Sequence, residues 1–194
     1  MNSAKIQDKY YLINQLKYCC VPAVLQMIFK RHKINHILDQ KSIAYELGLV
    51  IPEYLKDEFP EARIGKEPSE LGVFPGNKET SLNLLFEKCN LPFREEFIFL
   101  NELCPNGIND FLLKNLTSDI DIIAGVSYGV LTNDTGKIET MHVVLIEYLW
   151  NDKVQLVVPH EEKSYRLIVS LKALINSIKY AKDGFWRIIR VRNE

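Results

Sequence analysis

The stretch QLKYCCVPAVLQMI, residues 15–28, is the most informative part of this 194-residue chain. Apolar residues follow its two cysteines at the spacing of a buried helix face, and this periodicity predicts a helix over residues 21–31. Pro22 fits the first turn, because its fixed φ is helical and its missing N–H needs no partner there. The stretch therefore predicts a helix that begins at the cysteine pair.

Cys20 has the position of a reactive thiol. The positive end of a helix dipole favours a thiolate, so we expect the helix start to lower the pKa of Cys20. Gln15 precedes Cys20 by five residues, and its amide N–H₂ can stabilise the oxyanion that forms when sulfur attacks a carbonyl. Cys20 also keeps the spacing to Pro22, so it is the predicted nucleophile. The other three cysteines are predicted to be packing residues: Cys19, Cys89 and Cys104.

A thiol nucleophile needs a general base. The chain has four histidines: His32, His36, His142 and His160. His142 begins a strand-like run over residues 142–148 and follows Cys20 by about 120 residues. This is near the roughly 130–150 residues of papain-type enzymes, in which the fold brings the two side chains together. His32 belongs to the charged run 30–33, which we expect to be a solvated helix end. His142 is therefore the predicted base.

Two segments resemble papain-fold cysteine peptidases, and most closely the bacteriocin-processing branch that cleaves double-glycine leaders. The first segment is Gln15 followed by CVPAVLQMI, residues 20–28. The second segment consists of three apolar strands, at residues 120–126, 141–147 and 154–159. The resemblance implies a papain-like fold, with Cys20 as nucleophile, His142 as base, Gln15 as oxyanion donor and no cofactor.

The sequence departs from the family pattern at two positions. Val21 follows the cysteine where the family usually has Gly, and Val158 stands where the family has Asp or Asn before the second Pro. Val158 cannot accept a hydrogen bond from His142, and the third residue of a triad fixes the orientation and tautomer of the imidazole. Its loss is expected to weaken the chemistry without abolishing it.

Another group could orient His142 in place of the missing acid. If Asn151 and Asp152 form a two-residue turn, His142 is opposite Glu161. A three-residue turn places His142 opposite Glu162 instead. A slip of one residue exchanges the faces of a strand, so the sequence does not choose between the two glutamates. Glu161, Glu162 and His160 are therefore candidates to orient His142, and a backbone carbonyl or water is the alternative.

Composition narrows the class of protein. A net charge of −1 argues against a broad nucleic-acid-binding surface, which is usually basic. The first residues lack the apolar region of a signal peptide, and no apolar run approaches the ~20 residues that span a bilayer. The cysteine spacing does not fit a zinc site, so we expect no metal. A reduced, cytoplasmic protein with no membrane span is the resulting expectation.

Helical patterns dominate the first part of the chain and strand patterns the second. We expect one papain-like domain over residues 1–194, with a helix-rich lobe over about 1–118 and a strand-rich lobe over about 119–194. This separation favours an α+β fold, in which the cysteine helix packs on a C-terminal antiparallel sheet.

The expected function is that of a cysteine peptidase-like thiol hydrolase, which cleaves a peptide or amide bond of a peptide or protein substrate through an acyl-enzyme on Cys20. The same residues would serve an acyltransferase, in which another amine or alcohol replaces water. The missing acid leaves a third alternative: a catalytically weak or inactive module that binds a peptide or partner.

Overall fold

A computed structural model describes residues 3–6, 9–34, 38–67, 70–74, 80–103 and 107–191. Cys104 and His36 lie outside these residues. Nine strands occur in this part of the chain: β1 Ser3–Lys5, β2 Val50–Ile51, β3 Arg63–Ile64, β4 Phe93–Phe99, β5 Ile120–Ser127, β6 Met141–Trp150, β7 Lys153–Val158, β8 Tyr165–Ser170 and β9 Gly184–Arg190. Six α-helices accompany them: α1 Cys20–Arg31, α2 Gln40–Glu46, α3 Leu82–Lys88, α4 Gly107–Asn115, α5 Tyr128–Thr132 and α6 Leu171–Ala181.

The main sheet is antiparallel and runs in the order β4-β9-β5-β6-β7-β8, with β1 also paired to one end of β6. The strands β2 and β3 form a separate parallel pair. Helices and an antiparallel sheet together make the α+β fold that the sequence predicts. The strand β4 from the first half of the chain joins the sheet, and α6 from the second half packs beside β5.

The two faces of the sheet carry different helices. Side chains alternate along a strand, so Asp121 and Ala124 of β5 are on opposite faces. Asp121 accepts a hydrogen bond from Arg31 of α1. Phe185, which pairs with Ala124, contacts the Phe111 ring of α4 at 5.3 Å between centroids. Helices α1 and α4 therefore cover opposite faces.

Helix α1 is the central helix of the molecule. It begins at Cys20, as the sequence predicts, and is buried on nearly all sides, because Pro22, Ala23 and Met27 are enclosed together with the predicted apolar face. It packs between α2 and β6. This central position fixes the helix N-terminus, and with it Cys20, against the sheet.

The C-terminal end of α1 corrects an expectation. Arg31 and His32 are buried and not solvated. Arg31 Nη1 donates to Asp121 Oδ1 at 2.5 Å, and His32 Nε2 lies 2.7 Å from Asp121 Oδ2. Tyr10 Oη also donates to Asp121. The solvated reading is wrong because a carboxylate on β5 compensates the buried Arg31 guanidinium and also bonds to His32, which a local charge pattern does not reveal.

No helix in the described part of the chain is both long and apolar enough to cross a membrane.

Candidate active site

Cys20 is the first residue of α1 and lies against the strand that carries His142. The backbone N–H groups of Val143, the residue after His142, of Val21 and of Cys20 itself are near enough to its thiol to lower the thiol pKa. About 120 residues separate Cys20 from Val143 along the chain. The fold therefore brings the predicted nucleophile to the residue next to the predicted base.

The pKa of the Cys20 thiol is shifted in the direction opposite to the expected one. Burial raises the pKa of Cys20 above its usual value, and the N–H groups of Val143, Val21 and Cys20 lower it by less. The expected lowering is wrong because the loss of hydration at a central helix exceeds the stabilisation by the helix N-terminus. In the resting site Cys20 is a neutral thiol.

Cys19 is the residue before α1 and is fully buried. Burial raises the pKa of its thiol to about 12. Cys19, Cys20 and Cys89 are free thiols, and Cys89 packs partly buried against the core. The environment of Cys19 is that of a packing residue, as its sequence position suggested.

His142 is held by a backbone carbonyl. Its Nε2 lies 2.9 Å from the carbonyl oxygen of Pro159. A carbonyl oxygen only accepts, so Nε2 carries the proton and Nδ1 keeps a lone pair. Burial lowers the pKa of His142 to about 4, although the Pro159 bond opposes this shift. His142 is therefore a neutral imidazole whose Nδ1 can accept a proton.

Among the described residues, the hydrogen bond of His142 goes to the Pro159 carbonyl and not to Glu161, Glu162 or His160. The Asn151–Asp152 turn has two residues, because Trp150 pairs with Lys153. A bulge between Ile146 and Tyr148 then shifts the register by one residue. The β6–β7 ladder ends at Leu145 and Val157, and continuing its register would place His142 opposite His160. The two-residue turn excludes the expected pairing with Glu162, and the bulge excludes the pairing with Glu161.

The three candidate residues have other roles. Glu161 is exposed. Glu162 is exposed and uses its backbone, since its N–H donates to His160 Nδ1 at 3.3 Å and its carbonyl accepts from Asn14. Val158, the position of the family acid, is fully buried at the end of β7 and pairs with Tyr165. The residue after it supplies the carbonyl that His142 uses.

Gln15 lies between the cysteine helix and the loop that follows β7. Its backbone N–H donates to the carbonyl of His160 at 3.1 Å. Gln40 of α2 bonds on both sides of it, with Nε2 donating to the Asn14 carbonyl at 2.7 Å and Oε1 accepting from the Leu16 N–H at 2.8 Å. The backbone of Gln15 is therefore fixed. Gln15 Oε1 is buried without a hydrogen-bond partner among the described groups.

The same loop is bonded to the segment before Gln15. Ser164 Oγ donates to the Ile13 carbonyl at 2.7 Å, and the Ser164 N–H donates to Asn14 Oδ1 at 3.0 Å. Pro159, which orients His142, begins this loop. These bonds connect the position of Gln15 to the position of His142.

Tyr18 has a left-handed backbone conformation, with φ of 59°, two residues before Cys20. A bulky residue with positive φ is strained, and such strain is concentrated at functional sites. The Cys19 N–H donates to the Leu16 carbonyl at 3.0 Å and closes this turn. The turn leads the chain from Gln15 directly into α1.

Two tyrosines form a further contact with His142. The Tyr128 ring meets the imidazole edge to face, with 5.6 Å between centroids. Tyr128 Oη and Tyr165 Oη are 2.6 Å apart, so the start of α5 is joined to the start of β8 beside the imidazole. This contact holds the His142 ring in addition to the Pro159 bond.

Sequence reasoning proposed Cys20, His142 and Gln15 as site residues but did not find the groups that hold them. Gln40, Ser164, Tyr128 and Tyr165 carry no local motif, and the Pro159 carbonyl has no side-chain signature at all. Among the residues that the structure describes, no cluster of three His, Cys, Asp or Glu side chains could hold a metal ion. The site consists of a thiol, an imidazole and amide groups.

The described residues contain no hydrogen bond between Cys20 and His142. Catalytic hydrogen bonds are often long in free enzymes and shorten when substrate binds. The arrangement offers a thiol whose pKa is raised by burial and, on the strand whose backbone approaches that thiol, a neutral imidazole whose Nδ1 keeps a lone pair.

No protein-family model matches the chain. No curated protein matches it in sequence. Among solved structures, a Bacillus anthracis protein provisionally assigned as a C39-like peptidase superposes with a TM-score of 0.60 at 11% identity, covering 98% of this chain and 99% of that one. The peptidase domain of Streptococcus ComA, a bifunctional ABC transporter of a quorum-sensing pathway, superposes with a TM-score of 0.45 at 15% identity, covering 95% of this chain and all of that domain. The predicted resemblance is thus confirmed at the level of the fold, and the chain has the α+β, papain-like architecture of a C39-like peptidase.

Proposed function

We propose that this chain is a cysteine peptidase-like thiol hydrolase that cleaves a peptide or amide bond, with Cys20 as nucleophile and His142 as general base. The observation that carries the proposal is the hydrogen bond from His142 Nε2 to the Pro159 carbonyl. That bond sets the tautomer in which Nδ1 is a base, on the residue next to the backbone that contacts Cys20.

The reaction follows from the two neutral groups. Cys20 Sγ attacks the substrate carbonyl carbon while His142 Nδ1 takes the thiol proton, so charge develops only as the S–C bond forms. The carbonyl π electrons move to oxygen, where the Cys20 N–H and the Gln15 amide stabilise the oxyanion. The C–N bond then breaks, and the amine leaves with the proton from His142.

The second half of the reaction regenerates the free enzyme. Water attacks the thioester carbonyl and gives its proton to His142 Nδ1, the C–S bond breaks, and Cys20 recovers its proton from His142. The Pro159 carbonyl supports both halves, because its dipole favours the imidazolium that forms transiently. It carries no charge, so it stabilises that cation less than a carboxylate would.

Gln15 is suited to its role by a fixed backbone, because Gln40 bonds to the residues on both sides of it. The side-chain amide N–H₂ of Gln15 is the group that would donate to the oxyanion.

A second candidate function is peptide binding without turnover. The raised thiol pKa and the lowered imidazole pKa favour it, because both make a thiolate–imidazolium pair scarce at rest. An acyltransferase uses the same groups, with an amine or alcohol in place of water in the second step.

Incubation with a defined peptide library, followed by mass spectrometry, tests the proposal. The wild-type chain is expected to cleave a subset of peptides, and Cys20→Ala to lose this activity by roughly 10⁴-fold or more. Cys19→Ala is the matched control, because its buried thiol neighbours the nucleophile without taking part in the chemistry.

Products that carry an added amine or alcohol would identify an acyltransferase and contradict hydrolysis. Peptide retention with no product from the wild type would indicate the binding module. Cleavage that survives in Cys20→Ala and is lost in Cys19→Ala would contradict the assignment of the nucleophile.

A further inference from the structure

A large pocket lies between α6, the start of α4 and the segment after β4, and has a volume of about 920 Å³. Small-molecule sites have volumes of about 300–1,000 Å³. The residues that line this pocket do not include Gln15, Cys20 or His142. The proposed hydrolase uses none of its residues.

The pocket wall is mostly apolar. Its hydrophobic residues come from three segments that meet there: Phe99, Leu100, Leu103, Ile108, Leu171 and Ile175. The pocket follows α6 from Leu171 to Lys182, a length of roughly 16 Å at 1.5 Å per residue. Phe99 remains 52% exposed at its rim. An elongated apolar space of this kind fits an alkyl chain better than a compact polar metabolite.

The lysines and the aspartate at the pocket differ in whether they have partners. Lys172, Lys179 and Lys182 line it, and none of them forms an ion pair within the described part of the chain. Asp183 also lines it, but its Oδ1 accepts from the Gly184 N–H at 2.8 Å and its Oδ2 lies over Gly125.

Burial in addition raises the pKa of Asp183. The carboxyl of Asp183 is thus directed at the sheet and does not neutralise the lysines. Asp152 lies by the opposite end of α6, where its carbonyl accepts from the Leu171 N–H at 2.6 Å.

We propose that this pocket binds an anionic amphiphile, with an alkyl chain along α6 and an acidic headgroup at Lys179 and Lys182. The apolar wall supplies most of the affinity through burial of the chain. The two lysines near the C-terminal end of α6 supply the preference for a negative headgroup. Lys172, at the other end of the helix, contacts only the far end of the alkyl chain.

Fluorescence of 11-(dansylamino)undecanoic acid measures binding directly, and three competitors of equal chain length test the headgroup. Dodecanoate is expected to displace the probe best, 1-dodecanol less well, and dodecyltrimethylammonium least, all below their micelle concentrations. Equal displacement by the three competitors would overturn the role of the lysines.

Variants locate the site. Ile175→Trp fills the pocket and should weaken probe binding about tenfold or more. Asn176→Trp, at an exposed position by the mouth of the pocket, replaces the first variant if that variant does not fold.

Lys179→Gln should weaken the binding of dodecanoate about two- to fivefold and leave the binding of dodecanol unchanged. Lys163→Gln, on the β7–β8 loop, is the matched control. Unchanged binding in both tryptophan variants would overturn the site.

Sedimentation with phosphatidylglycerol vesicles distinguishes a free amphiphile from a membrane lipid. The proposal predicts that monomeric dodecanoate binds and that vesicles do not sediment the protein. Binding to vesicles without binding of monomeric dodecanoate would overturn it.

Discussion

Two histidines of this molecule, His32 and His142, have opposite environments. His32 lies in the core at 2.7 Å from the Asp121 carboxylate, which Arg31 and Tyr10 also contact. No acid in the described part of the chain bonds to His142, whose bond goes to the neutral Pro159 carbonyl. A histidine–carboxylate pair is often taken as the sign of catalysis, but here that pair belongs to the structural centre. The histidine of the candidate site is the one whose pKa is lowered by burial and whose bond goes to a backbone carbonyl.

The largest expected effect separates the two histidines by activity. His142→Gln should lower kcat by about 10²–10⁴-fold, because the general base is lost. His32→Gln should leave the kcat of the folded protein unchanged, since its ring contacts no site residue. The kcat of each variant is measured with the same cleaved peptide, at a temperature that is 20 °C lower than the melting point of that variant. An equal loss of kcat in the two variants would remove the distinction.

The buried centre around His32 should matter for the free energy of unfolding instead. Asp121→Asn leaves the buried Arg31 guanidinium without its counter-charge, and we expect a loss of about 3–5 kcal/mol in the free energy of unfolding. Lys88 and Glu46 form an ion pair that is 65% and 37% exposed, so Glu46→Gln is the surface control. Urea unfolding measures both. A loss below about 1 kcal/mol for Asp121→Asn would mean that the central charges are hydrated.

Gln15→Ala tests the third member of the site. Removing one oxyanion donor should lower kcat by about 10²–10³-fold with a smaller change in KM. Gln26→Ala is the matched amide control, because Gln26 lies in the middle of α1 and its side chain donates to the Leu38 carbonyl. An unchanged kcat would make Gln15 a packing residue of the segment before α1.

The smallest expected effect concerns the tyrosine pair beside His142. Tyr165→Phe removes the hydrogen bond to Tyr128, which is worth about 0.5–1.5 kcal/mol. The imidazole should then gain mobility, seen as broader His142 ring signals. Tyr180→Phe, which removes an exposed bond to Glu139, is the control. His142 signals that stay unchanged would confine the pair to a structural role.

The sequence predicted the fold class, the start of α1 at Cys20 and the strand that carries His142, because each depends on local periodicity. It failed where non-local groups decide the outcome. Arg31 and His32 look solvated until Asp121 is known to face them from β5. The bulge before Tyr148 changes the partner of His142, and no residue type announces it. The pKa of Cys20 depends on how deeply α1 is buried, which the helix pattern alone underestimates.

The tautomer and pKa of His142 test the central claim most directly, through long-range ¹H–¹⁵N spectra of the imidazole between pH 3 and pH 8. The account predicts an Nε2-protonated neutral ring at pH 7, since the pKa is lowered to about 4 and the Pro159 carbonyl accepts from Nε2. The ring should gain its second proton only as the pH approaches 4. A ring protonated at Nδ1 at pH 7, or one already charged there, would contradict the proposed base.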